Sequence, residues 1–152
     1  MTALFSLRPR YADRVLEGRK TVEIRTRTIR LVPGDTLWFY VSQPKAVVIG
    51  CAKLVTVYQG AIDEVWRQFS QKIGISRSEY YEYAKAHEVV SALEFNSLEF
   101  LVEPLSLNAI RTVCREFHPP QFYVRLHSGS DLHRLLNTLE RTKRKGGSRA
   151  SR

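Results

Sequence analysis

The sequence predicts a mixed α+β domain in which a small barrel of short, bent strands is flanked by helices. Three observations support this fold class. Some short stretches alternate apolar and polar residues as strands do, whereas others repeat their apolar residues at helical spacing. The predicted elements run in the order β-α-β-β-β-α-α-β-β, so strands and helices are interspersed. A chain of 152 residues is also long enough to bury one sizeable core.

The first elements are predicted as a strand, a helix and a second strand. Residues 2–7 alternate loosely and are typical of a strand. Pro9 suits the first turn of a helix, and Gly18 is the residue expected to end it in the left-handed conformation. Residues 21–25 then form a second strand, whose two β-branched aliphatic residues share one face.

The middle of the chain contains two further strands and two helices. A Pro-Gly-Asp turn at 33–35 leads into an aromatic strand over 36–42. Residues 46–58 are a long β-branched run, which a glycine and a lysine interrupt, and this predicts a bent strand. An apolar stripe predicts a helix around 62–69, and capping-box spacing at Ser76 predicts the start of a Tyr-rich helix.

The last elements alternate between strands and short helices. Residues 89–102 predict one or two strands, which we expect Pro104 to end. Residues 105–112 are predicted as a turn or short helix. Two prolines within 117–126 precede an aromatic strand, and residues 131–139 form a final amphipathic helix.

The charge distribution suggests one domain over residues 1–140, followed by a disordered basic tail over 141–152. The net charge is +9. The tail has six basic residues and no acidic one, and residues 8–30 have eight basic against three acidic residues. Such clustering is typical of proteins that bind polyanions, because phosphate binding releases counterions. The alternative is a solvated extension that keeps the protein soluble.

Several classes of protein are excluded by what the sequence lacks. Cys51 and Cys114 lie far apart, which is typical of buried thiols in a reducing cytosol. Residues 1–7 have no signal-peptide pattern, and the longest apolar run, 37–41, is too short to span a membrane. The four histidines form no ligand set, so we predict no metal and no cofactor. We expect a cytoplasmic protein without a membrane partner, and the sequence gives no indication of its oligomeric state.

The most informative stretch is Gly18-Arg19-Lys20-Thr21-Val22-Glu23-Ile24-Arg25, which places a lysine, a glutamate and an arginine on a short extended segment after a helix. Lys20 supplies a mobile positive charge for phosphate. Arg25 supplies a planar fork that binds phosphate or stacks on a base. Glu23 can position either cation or accept hydrogen bonds from a base edge. The alternative is an ion-pair cluster without a ligand.

The pattern Gly18-x-Lys20-x-x-Glu23-x-Arg25 resembles the G-x-K-x-x-E-x-R signature of ASCH domains, a group within the PUA-like superfamily. The resemblance extends over about residues 3–126. It implies a PUA-like β-barrel with helices around a cleft, and RNA or another single-stranded nucleic acid as the ligand. The cleft residues that we predict are Arg8, Lys20, Glu23, Arg25, Gln121 and Phe122.

The Pro119-Pro120-Gln121-Phe122-Tyr123 segment is the second candidate site. Two prolines stiffen the loop, and Gln121 beside aromatic side chains can read and stack an unpaired base. The alternative is a rigid turn that leads into a core strand, with Phe122 or Tyr123 buried.

Enzymes of the same fold provide another interpretation. Some small ASCH relatives resemble amidohydrolases that remove acyl groups from modified cytidine, with the signature lysine, a hydroxyl residue three positions later and a distal glutamate. This sequence keeps Lys20 but has Glu23 at the hydroxyl position, and Thr21 is the nearby hydroxyl residue. Other relatives resemble metal-assisted ribonucleases. The signature of this sequence contains one carboxylate, Glu23, and one carboxylate gives little support for a metal site.

We therefore predict nucleic-acid binding, of RNA first of all, through a basic cleft. A ribonuclease or an amidohydrolase of the same fold is the second hypothesis, with Lys20, Glu23 and Thr21 at its centre. The third is a protein-interaction module whose basic tail binds an acidic partner.

Overall fold

A computed structural model describes residues 1–143, which form seven strands and five helices. In chain order they are β1 (Thr2–Leu7), α1 (Pro9–Leu16), β2 (Val22–Arg25), β3 (Thr36–Val41), β4 (Val47–Ala61), α2 (Ile62–Phe69), α3 (Arg77–Ala84), β5 (Val89–Ser106), α4 (Leu107–Val113), β6 (Tyr123–Leu126), α5 (Asp131–Thr138) and β7 (Arg141–Lys143). None of the helices in this part of the chain has the length and apolarity that crossing a membrane requires.

The strands make one mixed sheet in the order β2-β5-β4-β3-β1-β6, with β7 added to β5. β1 and β3 pair in parallel, and the other neighbours are antiparallel. The long pair β4 and β5 contains several register shifts, and irregularities of this kind bend and twist strands. The side chain of Arg25 in β2 donates to the carbonyl oxygens of Ser6 and Phe122, so it joins the two ends of the strand order.

The central strands are buried on both faces, which explains the aromatic sequence of β3. Leu37, Phe39 and Val41 pack into an inner cluster with β1 and α1. Trp38 and Tyr40, on the opposite face, pack against α4 and α5. A strand covered on both sides reads as a continuous apolar run because neither face needs polar residues.

A third apolar cluster fixes the orientation of β2. Val22 and Ile24 pack with residues of α2 and α3. Since side chains alternate along a strand, Glu23 and Arg25 lie on the other face of β2. The helices therefore hold β2 in place while its charged residues face away from them.

The predicted mixed α+β class is confirmed, and so are the elements before residue 89. The expectation that Pro104 ends a strand is wrong, because β5 continues to Ser106. Residues 101–104 have no partners in the ladder with β4, so the missing amide hydrogen of Pro104 interrupts no β4 pairing. The segment predicted as a turn or short helix is α4.

The first residues of the predicted tail belong to the sheet. Arg141–Lys143 form β7, whose register pairs Glu99, Phe100 and Leu101 with Lys143, Thr142 and Arg141. The ordered chain therefore continues past the boundary expected at residue 140. The rest of the predicted tail, residues 144–152, lies outside the described residues.

Candidate functional site

A cavity of about 430 Å³, here called the first cavity, opens between β2, the end of β1 and the loop before β6. The segments that form it are distant in sequence and are brought together by the sheet. All six residues predicted for the cleft line it: Arg8, Lys20, Glu23, Arg25, Gln121 and Phe122.

Three charged residues form a buried cluster on one wall of the first cavity. Lys20 Nζ lies 3.6 Å from Glu23 Oε2, and Arg25 Nε lies 3.4 Å from Glu23 Oε1. The exposed fractions of these side chains are 3%, 12% and 8% for Lys20, Glu23 and Arg25. One carboxylate therefore lies between two cations in a poorly solvated environment, where charges interact more strongly than in water.

Lys20 is held mainly by backbone oxygens. Its ammonium group donates to the carbonyl oxygen of Val22 at 3.0 Å and to that of Ile73 at 2.8 Å. Burial lowers the pKa of Lys20, and the nearby Glu23 carboxylate opposes part of that shift. Two of its three N–H donors are occupied by the protein, so little of Lys20 is available to a ligand.

The connection between α2 and α3 positions the start of β2. The carbonyl oxygen of Lys72 accepts hydrogen bonds from the amides of Thr21 and Val22. The next two carbonyl oxygens, of Ile73 and Gly74, accept from the side chains of Lys20 and Arg14. Three consecutive carbonyls thus fix both the backbone and the lysine of the signature.

Arg25 acts mainly as a brace. Its guanidinium donates to the carbonyl oxygen of Ser6 at 3.0 Å and to that of Phe122 at 3.4 Å, and its Cζ lies 5.2 Å from the centre of the Phe5 ring. These contacts tie β2 to β1 and to the loop before β6. They use two of its five N–H donors, and Nε has no hydrogen-bond partner within residues 1–143, so the role of Arg25 as a fork for phosphate or a base stays a prediction.

Glu23 differs from its neighbours because its carboxylate has acceptor capacity to spare. Oε2 is buried and has no hydrogen-bond partner within residues 1–143, and the two cations lie at ion-pair distances rather than in hydrogen-bonding geometry. A buried polar atom without a partner costs free energy. A ligand group that donates hydrogen bonds would relieve this cost.

The mouth of the first cavity is formed by Arg8 and the proline loop. Arg8 is exposed, and its side chain makes no hydrogen bond or ion pair in the described part of the chain. The Ser6 hydroxyl donates to the carbonyl oxygen of Pro120 at 2.5 Å, and the Ser6 amide donates to that of Phe122. The loop is therefore anchored to β1, and it leaves Gln121 exposed.

Sequence reasoning missed the tyrosines that contribute to the first cavity. Tyr11, Tyr40 and Tyr83 all line it, and Tyr40 is at the same time a core residue with 2% of its surface exposed. Burial raises the pKa of the Tyr40 hydroxyl, so this phenol stays protonated at neutral pH. The available signal was the hydroxyl itself, because a buried tyrosine normally needs a polar partner at its tip.

Thr21 does not line the first cavity. It lines a second cavity, of about 1000 Å³, together with Lys53, Glu99 and Arg141. Lys20 also lines the second cavity whereas Glu23 does not, so an amidohydrolase centre that combines Lys20, Glu23 and Thr21 stays a prediction. Across residues 1–143, no three His, Cys, Asp or Glu side chains come together as a set of metal ligands.

Comparisons with known proteins agree with this architecture. The ASCH domain family model matches residues 5–99. An ASCH domain-containing ribonuclease of Zymomonas mobilis is 29% identical over 119 residues, which are 78% of this chain and 80% of that protein. The crystal structure of ASCH from Zymomonas mobilis has a TM-score of 0.84 at 26% identity, over 91% of this chain and 96% of that one. The N-terminal domain of Staphylothermus marinus McrB, with a TM-score of 0.57 at 10% identity over 90% and 93% of the two chains, is similar in fold alone. The chain therefore belongs to the ASCH domain family.

Proposed function

We propose that this protein binds RNA, or another single-stranded nucleic acid, through the first cavity. The observation that carries the proposal is the Glu23 carboxylate, which is buried between two cations and still has acceptor capacity for a ligand. Charged groups that remain buried in a cavity despite the cost of desolvation are candidates for function.

The size and walls of the first cavity suit a nucleobase. Its volume of about 430 Å³ falls within the range of small-molecule sites. Tyr11, Tyr83 and Phe122 provide aromatic surfaces, and stacking on such surfaces is the common way for proteins to hold an unpaired base.

The charge distribution supports a base inside the cavity and a phosphate at its mouth. Glu23 would repel a phosphate but can accept hydrogen bonds from the amino or imino groups of a base edge. Carbonyl oxygens occupy two of the three N–H donors of Lys20 and two of the five of Arg25, which leaves fewer donors for a phosphate. Arg8 at the mouth has free donors and is the residue that we assign to the phosphate.

The relatives and the sequence add independent support. The Zymomonas mobilis relative is named a ribonuclease, and such a protein must contact RNA. Residues 141–152 contribute six positive charges, which would add affinity that falls with salt. We also place the protein in the cytoplasm, which the free thiols of Cys51 and Cys114 support.

Fluorescence anisotropy of labelled single-stranded RNA across a salt series tests the proposal with the full chain. Arg8→Ala removes the cation at the mouth. Arg10→Ala is the matched control, because Arg10 lies two residues further along the chain in α1, pairs with Glu79 and does not line the cavity. We expect Arg8→Ala to lower the slope of log affinity against log salt by about one. Arg10→Ala should change binding less.

Glu23→Gln tests the interior of the cavity. The amide has nearly the shape of the carboxylate but accepts hydrogen bonds more weakly and lacks the charge. We expect about tenfold weaker binding with an unchanged salt slope, after circular dichroism has shown that the variant is folded. Wild-type affinity in both Glu23→Gln and Arg8→Ala would contradict the proposal.

A ribonuclease of the same site is a second candidate, favoured by the name of the Zymomonas mobilis relative. In that case Glu23 would act as the general base on a ribose hydroxyl held beside the bound base. Gel analysis of end-labelled RNA separates the two functions. Cleavage that is lost in Glu23→Gln supports the enzyme, whereas stable binding without products supports the binding protein.

A further inference from the structure

We propose that Arg27, stacked on Phe122, forms a second contact for the nucleic acid, and that it holds the base next to the one in the first cavity. The substrate class that follows is a single-stranded segment of at least two nucleotides, rather than a free nucleoside. This inference rests on the proposed function, because it extends the RNA path outward from the same cavity.

The geometry of the pair carries the inference. Arg27 Cζ lies 4.1 Å from the centre of the Phe122 ring, and Phe122 itself lines the first cavity. The guanidinium therefore lies in stacking contact with a residue at the rim. One face of a stacked guanidinium covers the ring, and its other face remains available to a base.

Arg27 has no competing role within the described chain. Its side chain is exposed and makes no hydrogen bond or ion pair with other residues of 1–143, whereas Arg10, Arg14 and Arg25 are all engaged. Phe122, in contrast, is held in place, because its carbonyl oxygen accepts from Ser6 and from Arg25. The pair thus combines a Phe122 ring that is held in place with an Arg27 guanidinium that no other residue of 1–143 binds.

Two more arginines lie on the same two segments of the chain as this pair. Arg30 and Arg125 are exposed, and Arg125 donates to the carbonyl oxygen of Arg30, so the two lie side by side. Residue 125 is three positions along the chain from Phe122, a distance of about 10 Å in an extended strand. No acidic residue occurs in 26–32 or 119–127, so nothing in these two segments offsets the charge. Arg30 and Arg125 therefore add to the net positive charge of the two segments that contain Arg27 and Phe122, and this charge favours a polyanion.

The experiment compares a mononucleotide, a dinucleotide and longer single-stranded RNA by competition for the full chain. Three variants are titrated beside the wild type. Arg27→Ala removes both the planar guanidinium and its charge, whereas Arg27→Lys keeps the charge and removes the planar group. Arg67→Ala is the control, because Arg67 on α2 is exposed and its loss changes the net charge by the same amount. Thermal melting confirms that all three are folded.

We expect wild-type affinity to rise from the mononucleotide to the dinucleotide. Arg27→Ala should weaken the longer ligands about tenfold while leaving the mononucleotide unchanged. At high salt, where charge is screened, Arg27→Lys should resemble Arg27→Ala. Arg67→Ala should match the wild type in this regime.

Three outcomes would overturn the inference. The first is that Arg27→Ala and Arg67→Ala have equal effects on the longer ligands. The second is that Arg27→Ala weakens the mononucleotide as much as the longer ligands, since Arg27 would then serve the cavity itself. The third is that a bound mononucleotide gains nothing from a second nucleotide. In contrast, an effect of Arg27→Ala without any effect of Glu23→Gln would support this contact and contradict the cavity.

Discussion

The first and second cavities each contain a glutamate with basic partners. The two clusters differ in how many of their hydrogen-bonding groups are used by contacts within the protein. In the second cavity, Arg141 Nε lies 3.2 Å from Glu99 Oε2, and the Cys51 thiol lies between the two side chains. The Arg141 guanidinium also covers the Trp38 ring, at 5.4 Å. This cluster uses its contacts to fasten β7 onto the sheet.

In the first cavity, Glu23 has the same types of partner but keeps unused acceptor capacity. It is also less exposed, at 12% of its side chain against 27% for Glu99. The contrast shows what distinguishes a candidate ligand site from a purely structural charged cluster. The candidate site contains a buried hydrogen-bonding group that no other residue of the fold uses. Charge alone does not separate the two clusters.

The largest expected effect is on the free energy of unfolding of Glu23→Gln. The change leaves Lys20 and Arg25 buried without their shared counter-charge, and removing one partner from a buried ion pair costs about 3 kcal/mol. Urea denaturation followed by circular dichroism measures this loss. A cost no larger than that of Glu99→Gln would remove the distinction between the two clusters.

Gly74→Ala should have the next largest effect, because it disturbs the support of the first cluster. Gly74 has a φ of +71°, and an added Cβ would lie 2.7 Å from the Cβ of Lys20. The left-handed conformation alone costs an alanine about 1 kcal/mol, and displacing Lys20 adds about 1 kcal/mol more. Denaturant unfolding measures the sum.

Gly129→Ala is the control for Gly74→Ala. Its φ is +80°, and an added Cβ would meet no atom within 4 Å. It should therefore lose stability through backbone strain but keep RNA affinity, whereas Gly74→Ala should lose both. Equal RNA affinity in the two variants would show that the position of Lys20 does not matter for binding.

The pH dependence of stability should distinguish Lys20 from exposed lysines. Burial lowers the pKa of Lys20 in the folded state, so the unfolded chain binds more protons between that pKa and the ordinary value of 10.5. Stability should rise with pH in this window, by at most about 1.4 kcal/mol per pH unit.

Lys20→Met isolates the contribution of Lys20 to this slope. As the pH rises from 7, we expect the free energy of unfolding of the wild type to increase relative to that of Lys20→Met. Tyr80, whose pKa is raised to about 12, contributes a slope of opposite sign above pH 10, but it is present in both proteins and cancels. An unchanged difference across the range would show that Lys20 is not buried as a charged group.

Glu99→Gln should give the smallest effect. Its ion pair with Arg141 is about one third exposed, and pairs of this kind contribute about 0.5 kcal/mol or less after solvent screening. The same urea titration applies. RNA affinity should stay at the wild-type level, and a loss as large as that of Glu23→Gln would assign the second cavity to binding as well.

Local sequence patterns predicted most of the fold. Turn residues, helix ends and apolar periodicity act over a few residues, so the order of elements through α3 could be derived from them. The end of β5 was predicted wrongly because a proline interrupts a strand only where its missing amide hydrogen would have paired. Whether Pro104 faces a partner in β4 depends on the register of two long strands, which local sequence does not set. β7 was missed because a three-residue basic segment carries no strand signal of its own.

The first cavity was predicted in part. The signature and its resemblance to ASCH domains identified Lys20, Glu23 and Arg25, but not the division of roles among them. Arg25 turned out to be a brace because Phe122, 97 residues away, offers it a carbonyl oxygen. Contacts at such separations leave no trace in local spacing, and the same holds for Tyr40 and Tyr83.

The connection between α2 and α3 has a consequence for how this chain can vary in length. Three successive carbonyls at 72–74 accept from the start of β2, from Lys20 and from Arg14, so inserting or deleting one residue there would shift every acceptor by one position. Residues 127–130 do not line the first cavity, so a longer turn there would leave the cavity intact. Functional relatives should therefore keep the first connection at constant length while the second varies.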